Sequence, residues 1–250
     1  MTSLFYDSEL GDWKDPYPNP VVEEHEGFLI VRDDMLGGGS KIRFADYLIQ
    51  SNPDVKEWVY GSSPATGYAQ ISLAHLCKRH DKKAIIFMAD RAVEKRHAYQ
   101  LQAMDAGAIM HWIPNGMLSV TEKRARDYVA EDPKSRRLLP IGFDHPTVVS
   151  AIYNVASNMD IEPSEVWTVG SSGTLTRGLQ LAWPRASFHC VCVGHSGNYG
   201  KAKIYKSKYA FNKPTKILPP FPSAPTYDAK AWEFMLDHAS PGALFWNVGA

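Results

Sequence analysis

The stretch EVWTVGSSGTLTRGLQLAWPRASFHCVCVG, residues 165–194, holds the clearest fold signal in the chain. Its first six residues form a short apolar strand pattern, which small residues then interrupt. Leu175, Leu179 and Ala182 follow at helical spacing until Pro184 ends the pattern. The apolar stretch ASFHCVCVG reads as a second strand. A strand, a helix and another strand in this order predict a parallel βαβ unit.

The same alternation extends on both sides of this stretch. Further strands are predicted at GFLIVR, WVY, KKAIIFMA, AIMHWI and the terminal ALFWNVG, with a weaker one starting at Arg137. Helical patterns lie between most of them, and one of these is expected to begin with Asp144 as its N-cap and Pro146 in its first turn. We therefore expect an α/β fold with parallel sheets covered by helices.

Composition excludes several classes of protein. The 250 residues carry 27 Lys+Arg against 27 Asp+Glu and are 44% hydrophobic, which is typical of a globular chain and not of a disordered or fibrous one. No apolar run approaches the roughly 18–20 residues of a membrane span, and the acidic, aromatic start does not resemble a secretory signal. Cys77, Cys190 and Cys192 lack metal or redox spacing. We expect buried thiols, no metal site and a cytoplasmic location.

A phosphate site is predicted at residues 170–174, where a strand passes into a helix. Glycines allow a close approach of the backbone to an anion, and the start of a helix offers free N–H groups beside the hydroxyls of Ser171, Ser172 and Thr174. The sequence is neither GxGxxG nor a Walker motif. An ordinary tight turn is the alternative.

Two earlier loops have related features. Lys41 follows three glycines and Ser40 at the expected start of a helix, where its amine could form a Schiff base with a carbonyl cofactor. A solvated lysine in a first helical turn is the ordinary alternative. The loop GSSPATG carries hydroxyls at Ser62, Ser63 and Thr66 and is a weaker candidate for binding an anion.

In this order, the three loops resemble the pyridoxal-phosphate enzymes of fold type II. This group resembles the tryptophan synthase β-subunit and includes cysteine synthase, ACC deaminase and D-cysteine desulfhydrase. GGGSKIR is similar to the family's stretch around the cofactor lysine, which implies that Lys41 binds pyridoxal 5′-phosphate as a Schiff base. SSPATG is similar to the substrate loop and implies that Ser62, Ser63 and Thr66 bind the substrate carboxylate. GSSGTLTRG is similar to the phosphate cup, which implies that Gly170, Ser171, Ser172, Gly173 and Thr174 hold the phosphate.

The resemblance also implies an architecture in a shortened form. It predicts a larger cofactor-binding subdomain formed by residues 1–54 and 136–250, a smaller α/β subdomain at 55–135, and a cofactor in the cleft between them. A homodimer and lyase chemistry of the deaminase, desulfhydrase or decarboxylase type on a small amino acid are implied as well, with Lys41 as the catalytic residue.

Two departures from the family pattern keep other functions open. Ala65 stands where the family has an asparagine near the cofactor, and Val248 stands where a threonine faces the pyridine nitrogen. A catalytically silent cofactor-binding protein is therefore one alternative, and a phosphate-ester enzyme or nucleotide-binding module that uses only the 170–174 loop is another. Candidates for a second base are Tyr68, Tyr99 and His195.

A segment rich in lysine and aromatic residues follows at residues 197–228. Six lysines lie between Lys201 and Lys216, interleaved with aromatic residues, and five prolines follow by Pro225. This pattern predicts an extended flap over the active site. It also allows contacts with nucleic acid, so that an amino acid attached to a nucleobase, as in bacteriophage DNA hypermodification, is an alternative substrate.

Overall fold

A computed structural model describes residues 10–114, 116–194 and 197–250 of the chain. The chain divides into two compact units, a larger one of residues 1–44 and 144–250 and a smaller one of residues 45–143. The smaller unit therefore extends beyond the predicted range of 55–135 at both junctions. It does so at the second junction because Arg136–Leu138 pairs with a strand of the smaller unit.

The larger unit is built on a six-stranded sheet in the order β1-β2-β10-β7-β8-β9. Only β1 is antiparallel to its neighbour, and the other strands run parallel. The strands are β1 (Val22–His25), β2 (Phe28–Arg32), β7 (Glu165–Gly170), β8 (Ser187–Cys192), β9 (Lys203–Lys206) and β10 (Leu244–Asn247). The sequence predicted a continuous apolar pattern for β7 and β10, and both are buried along their whole length, as expected of central strands.

The smaller unit contains a second sheet, parallel throughout, in the order β5-β4-β3-β6. Its strands are β3 (Glu57–Tyr60), β4 (Lys83–Ala89), β5 (Ile109–Ile113) and β6 (Arg136–Leu138). Two parallel-sheet units covered by helices confirm the predicted α/β fold.

Eight α-helices are described in the two units. They are α1 (Lys41–Phe44), α2 (Asp46–Gln50), α3 (Ala69–Arg79), α4 (Ala98–Asp105), α5 (Leu118–Glu131), α6 (Pro146–Ser157), α7 (Thr174–Ala182) and α8 (Trp232–His238). The expected N-cap of α6 was wrong by one residue. His145 caps this helix by accepting a hydrogen bond from the Thr147 N–H, and Asp144 instead pairs with Arg177.

Two strands were not predicted because their residues do not alternate clearly between apolar and polar. β1 lies in the Pro-rich opening, and β9 forms the exposed edge of the larger sheet within the segment expected to be an irregular extended flap. Cys77 and Cys190 are buried, as predicted, whereas Cys192 is partly exposed. Among the described residues, no helix is both long and apolar enough to cross a membrane.

Candidate functional site

The arrangement of strands in the larger sheet brings three chain segments to one edge. β10 lies between β2 and β7 and is parallel to both, so the carboxyl ends of all three strands point the same way. The loop to Lys41 follows β2, the last residues of the chain follow β10, and the 170–174 loop follows β7. The carboxyl edge of an open parallel sheet is where ligands of α/β proteins generally bind.

Buried hydrogen bonds fix the loop that ends at Lys41. The Ser40 N–H donates to the Val248 carbonyl at 3.0 Å. The Trp246 indole N–H is shared between Asp33 Oδ2 at 3.0 Å and Ser40 Oγ at 3.1 Å. These bonds tie the glycine-rich loop to β10, so the position of Lys41 is set by a central strand of the sheet.

The Lys41 ammonium and the Asp228 carboxylate influence each other electrostatically. Burial lowers the pKa of the Lys41 ammonium, and the Asp228 carboxylate acts in the opposite direction. Burial likewise raises the pKa of Asp228 to about 7, against the effect of Lys41. A lysine with a lowered pKa has a larger neutral fraction, and the neutral amine is the form that attacks a carbonyl carbon.

Asp228 was not identified from the sequence, although it is the acidic group most closely linked to Lys41. Its Oδ2 accepts a hydrogen bond from the Gly249 N–H at 3.2 Å. The Val248 N–H also interacts with this carboxyl group, while Oδ1 is buried and makes no well-formed hydrogen bond in the described parts of the chain. Buried polar atoms are rarely left unpaired, so this oxygen indicates a ligand that donates to it.

The 170–174 loop forms a cup made largely of main chain. Gly173 lies at the N-cap of α7 with a φ of +83°, a conformation that favours glycine. A Cβ at this position would lie 2.0 Å from the Asn198 carbonyl oxygen, and one at Gly197 would lie 2.5 Å from the Ser172 carbonyl. Only glycine therefore allows the two loops to pack so closely in front of the helix.

Side chains reinforce the cup from within and from behind. Ser172 Oγ and Thr174 Oγ1 are 2.9 Å apart and hydrogen-bond to each other. The Arg177 guanidinium donates to the carbonyls of Ser172 and Asn198 at 3.3 and 2.6 Å and pairs with Asp144. The Thr174 N–H donates to Ser172 Oγ at 3.4 Å. The N–H groups that follow it in the first turn of α7 have no partner inside the helix, so the cup offers them to an anion.

The smaller unit carries the loop of residues 61–67 at the end of β3. Ser62 Oγ donates to Glu122 Oε1 at 2.6 Å. In contrast, Ser63 Oγ and Thr66 Oγ1 are buried and have no partner among the described residues. Two unpaired hydroxyls close together in sequence are suited to donate to the oxygens of an anion.

This loop is held by its neighbours. A Cβ at Gly61 would come within 2.7 Å of Ala125 Cβ, so glycine is needed where α5 crosses the loop. The buried Gln70 amide donates to the carbonyls of Ala65 at 3.1 Å and Gly67 at 2.8 Å. The conformation of the loop that carries the two hydroxyls is thus fixed before a ligand binds.

The candidates for a second base have other roles or lie outside the described residues. Tyr68 and Tyr99 pack edge to face with ring centroids 5.2 Å apart, in a cluster with Ile71 and Ala103. This contact favours a packing role for both rings. His195 lies outside the described part of the chain.

The segment rich in lysine and aromatic residues separates its two residue types. The rings pack inward, with Tyr199 buried and Tyr205 lying 5.3 Å from the His238 ring. All six lysines are exposed. The segment therefore presents its lysines to solvent, while Tyr199, Tyr205 and Phe211 pack inward.

Comparisons with known proteins support the same fold. The chain superposes on an ACC deaminase homologue with a TM-score of 0.84 at 15% identity, covering 98% of this chain and 94% of that one. It superposes on a T.th. threonine deaminase with a TM-score of 0.71 at 15% identity, covering 100% and 97%. For serine racemase from Dictyostelium discoideum, the TM-score is 0.65 at 12% identity, with 99% and 96% covered. By sequence, no family model and no curated protein matches the chain.

The chain has the fold of these proteins. Another solved structure with this fold, at a TM-score of 0.60 and 12% identity, is a pyridoxal 5′-phosphate-dependent aspartate racemase; 98% of this chain and 79% of that one are covered. Pyridoxal 5′-phosphate needs an amine that reacts with its aldehyde and an anion cup for its phosphate. The residues present fit this group: a lysine amine with a lowered pKa, a glycine-dependent anion cup and an unpaired buried carboxyl oxygen all belong to the larger unit.

Proposed function

We propose that the protein is a pyridoxal-phosphate-dependent enzyme that acts on an amino acid through Lys41. The observation that carries this proposal is the position of Lys41 in the loop that follows the carboxyl end of β2 and is tied to β10 through Ser40, in the unit that also forms the anion cup. The solved structures with this fold include deaminases, racemases and a lyase. A lyase of the deaminase, desulfhydrase or decarboxylase type is the activity we expect.

Lys41 would hold the cofactor covalently through its amine. When bound, pyridoxal 5′-phosphate supplies an electron sink that weakens the bonds to the amino acid's α-carbon. Once free of the cofactor, Lys41 Nζ accepts and returns a proton, since burial keeps its pKa below that of an exposed lysine.

The cup would hold the phosphate. Gly170 and Gly173 let the main chain approach the anion, and Ser171, Ser172 and Thr174 surround it with hydroxyls. The interaction relies on N–H groups that are already oriented by α7, so little ordering is needed when the phosphate binds.

Asp228 would serve the basic ring nitrogen of the cofactor. Its free Oδ1 is a buried acceptor, and its pKa of about 7 allows it to share a proton with a pyridine base. The sequence placed Val248 at this position, and a valine side chain has no polar atom. The Asp228 carboxyl, which accepts the Gly249 N–H, supplies the polar group that Val248 lacks. This role favours an active enzyme over a catalytically silent one.

Ser63 and Thr66 would bind the substrate carboxylate, whereas the hydroxyl of Ser62 in the same loop donates to Glu122. Their two unpaired hydroxyls support this assignment. An anion held there would satisfy donors that otherwise stay buried without acceptors.

The test is product analysis after incubation with the cofactor and a panel of amino acids. Mass spectrometry should show ammonia release with an oxo acid, or a mass loss of roughly 44 from carbon dioxide, depending on which bond the pocket selects. The Lys41→Ala variant should give no product, and Lys56→Ala, an exposed lysine elsewhere, should behave as the wild type. Cofactor-loaded protein that converts no amino acid would refute the proposed activity.

A substrate carried on nucleic acid is a second candidate. It is favoured by the exposure of all six lysines between Lys201 and Lys216, in a segment that has no acidic residue from position 197 to 227. The triple change of Lys206, Lys213 and Lys216 to alanine should then weaken binding of a single-stranded oligonucleotide and reduce its salt dependence.

The control for that experiment is the double change of the exposed Lys95 and Lys134 to alanine. Equal binding by the triple variant and this control would refute the second candidate. The homodimer and the cytoplasmic location stay predictions of the sequence.

A further inference from the structure

The hydroxyls of the 61–67 loop differ in what they can offer a ligand. Ser62 Oγ directs its proton to Glu122 Oε1 at 2.6 Å, so this hydroxyl does not donate to a substrate. Ser63 Oγ and Thr66 Oγ1 are buried and free to donate. Ser63 and Thr66 thus form a pair of donors, whereas Ser62 lies beside the negatively charged carboxylate of Glu122.

The position of Glu122 is fixed by the packing of α5 on the loop. An added Cβ at Gly61 would lie 2.9 Å from Glu122 Cα, so the helix backbone directly adjoins the loop. Thr121, the preceding residue, donates its hydroxyl proton to the Gly61 carbonyl at 2.8 Å. Glu122 is only partly buried, and its carboxylate lies within hydrogen-bond distance of the Ser62 hydroxyl.

A carboxylate beside an anion-binding loop has a cost and a use. It repels the substrate's own carboxylate, and it repels an acidic side chain more strongly because the charges add. A cationic group on the ligand reverses this effect through a charge-assisted hydrogen bond.

We propose that Glu122, with Ser62, is a specificity-determining site that selects amino-acid substrates carrying a second, cationic nitrogen on the side chain. The inference rests on the proposed function of the loop, since Ser63 and Thr66 must bind the α-carboxylate for Glu122 to act on the rest of the molecule. The substrate class is therefore a diamino acid, with neutral amino acids accepted less well and acidic ones rejected.

The test compares three probes of similar size: 2,3-diaminopropionate, serine and aspartate. Dissociation constants from titration calorimetry and kcat/KM values are measured for the wild type, Glu122→Gln, Ser62→Ala and Asp127→Asn. The Asp127 change is the matched control because it removes the same charge from an exposed position on α5.

In the wild type, 2,3-diaminopropionate should bind more tightly than serine, and aspartate most weakly. Glu122→Gln should weaken the binding of 2,3-diaminopropionate about tenfold, because one hydrogen bond to a charged group is lost. It should change the dissociation constant of serine by less than about twofold. The same variant should bind aspartate more tightly than the wild type does. Asp127→Asn should change none of the three constants.

Ser62→Ala separates selection from simple positioning. It removes the hydrogen bond but leaves the Glu122 charge, so the preference for 2,3-diaminopropionate should persist. If Glu122 only positions Ser62, the two variants will shift all three probes equally, and the inference is overturned. Equal binding of the three probes by the wild type would overturn it as well.

Failure of the proposed function would look different. In that case, Lys41→Ala would leave amino-acid turnover and cofactor binding unchanged, whichever probe is preferred.

Discussion

The two hydroxyl-rich loops have similar sequences but differ in whether their hydroxyls already have hydrogen-bond partners. In GSSGTLTRG, the Ser172 and Thr174 hydroxyls satisfy each other, and a glycine in the left-handed region packs against a carbonyl of a second loop. In GSSPATG, the Ser63 and Thr66 hydroxyls remain buried without partners among the described residues. The first loop offers its main chain to a ligand, whereas the second offers its side chains.

This difference suits the first loop to a ligand that stays bound and the second to a ligand that binds and leaves in each reaction cycle. N–H groups held by a helix already point in one direction and need no reorientation when an anion binds, which suits a phosphate that stays bound. Unpaired hydroxyls destabilise the empty loop and are relieved only by a ligand, which suits a substrate that must enter and leave. Lys41 and Asp228, whose pKa values are shifted, belong to the larger unit and so accompany the first kind of site.

The largest expected effect comes from Gly173→Ala. A Cβ there meets the Asn198 carbonyl and forces alanine into a φ of +83°, so we expect a destabilisation of the order of 3 kcal/mol and a loss of cofactor affinity of about a hundredfold. Cofactor titration followed by absorbance and urea unfolding would measure both. The control is Gly27→Ala, whose φ of +82° is almost the same but whose added Cβ would have no atom within 4 Å. Equal cofactor affinity in the two variants would contradict the main-chain cup.

The next effect is on the pH dependence of stability. Asp228 has a pKa of about 7 in the folded protein against 3.8 when unfolded, so the native state binds more protons between these values. Stability of the cofactor-free protein should therefore fall as pH rises from 4 to 7, by up to about 3 kcal/mol, and Asp228→Asn should remove this slope. Lys41 acts at higher pH: its pKa is lowered, so stability should rise as pH approaches 10.5.

Urea unfolding at a series of pH values would measure this slope. Ser63→Ala should keep the wild-type slope, because the smaller unit's loop holds neither Asp228 nor Lys41. An unchanged slope in Asp228→Asn would show that this carboxyl titrates normally.

A smaller effect is expected from Ser63→Ala and Thr66→Ala. Each removes one donor to the substrate carboxylate and should raise KM about tenfold with little change in cofactor affinity. Because the hydroxyls are unpaired in the empty loop, neither change should lower the free energy of unfolding. Kinetics and urea unfolding would measure these two quantities, with Ser119→Ala, an exposed serine of α5, as the control. A KM equal to that of the control would remove the loop from the substrate site.

The smallest effect is expected from Ser172→Ala. The cup binds through N–H groups, so loss of this hydroxyl should weaken the cofactor by no more than about threefold. A loss of cofactor affinity as large as that of Gly173→Ala, measured by the same titration, would mean that both loops bind through side chains. The proposed difference between the two loops would then be wrong.

The sequence predicted those parts of the molecule that follow from local pattern. Apolar runs located the central strands, and glycines with hydroxyls after a strand located both loops. The edge strand β9 was not predicted, because its sequence KIYK is largely exposed and does not alternate clearly between apolar and polar residues. His145 rather than Asp144 caps α6 because the tertiary pairing with Arg177 competes for the aspartate.

The missing site residues depend on contacts between distant parts of the chain. Asp228 matters because the fold places it against Gly249 and near Lys41, and its surroundings in APTYDAKAW give no sign of this. Glu122 lies 60 residues from its partner Ser62 on an exposed-looking, charge-rich helix. The only local hint for Asp228 is that it is the first acidic residue after position 196.

The central claim is that one amine, Lys41, holds the cofactor. Purified protein would be soaked with pyridoxal 5′-phosphate, reduced with borohydride and digested, and the peptides analysed by mass spectrometry. We predict a pyridoxyl group on Lys41 and none in Gly173→Ala at the same cofactor concentration. A protein that carries no adduct, or carries it on another lysine such as the buried Lys230, would contradict the account.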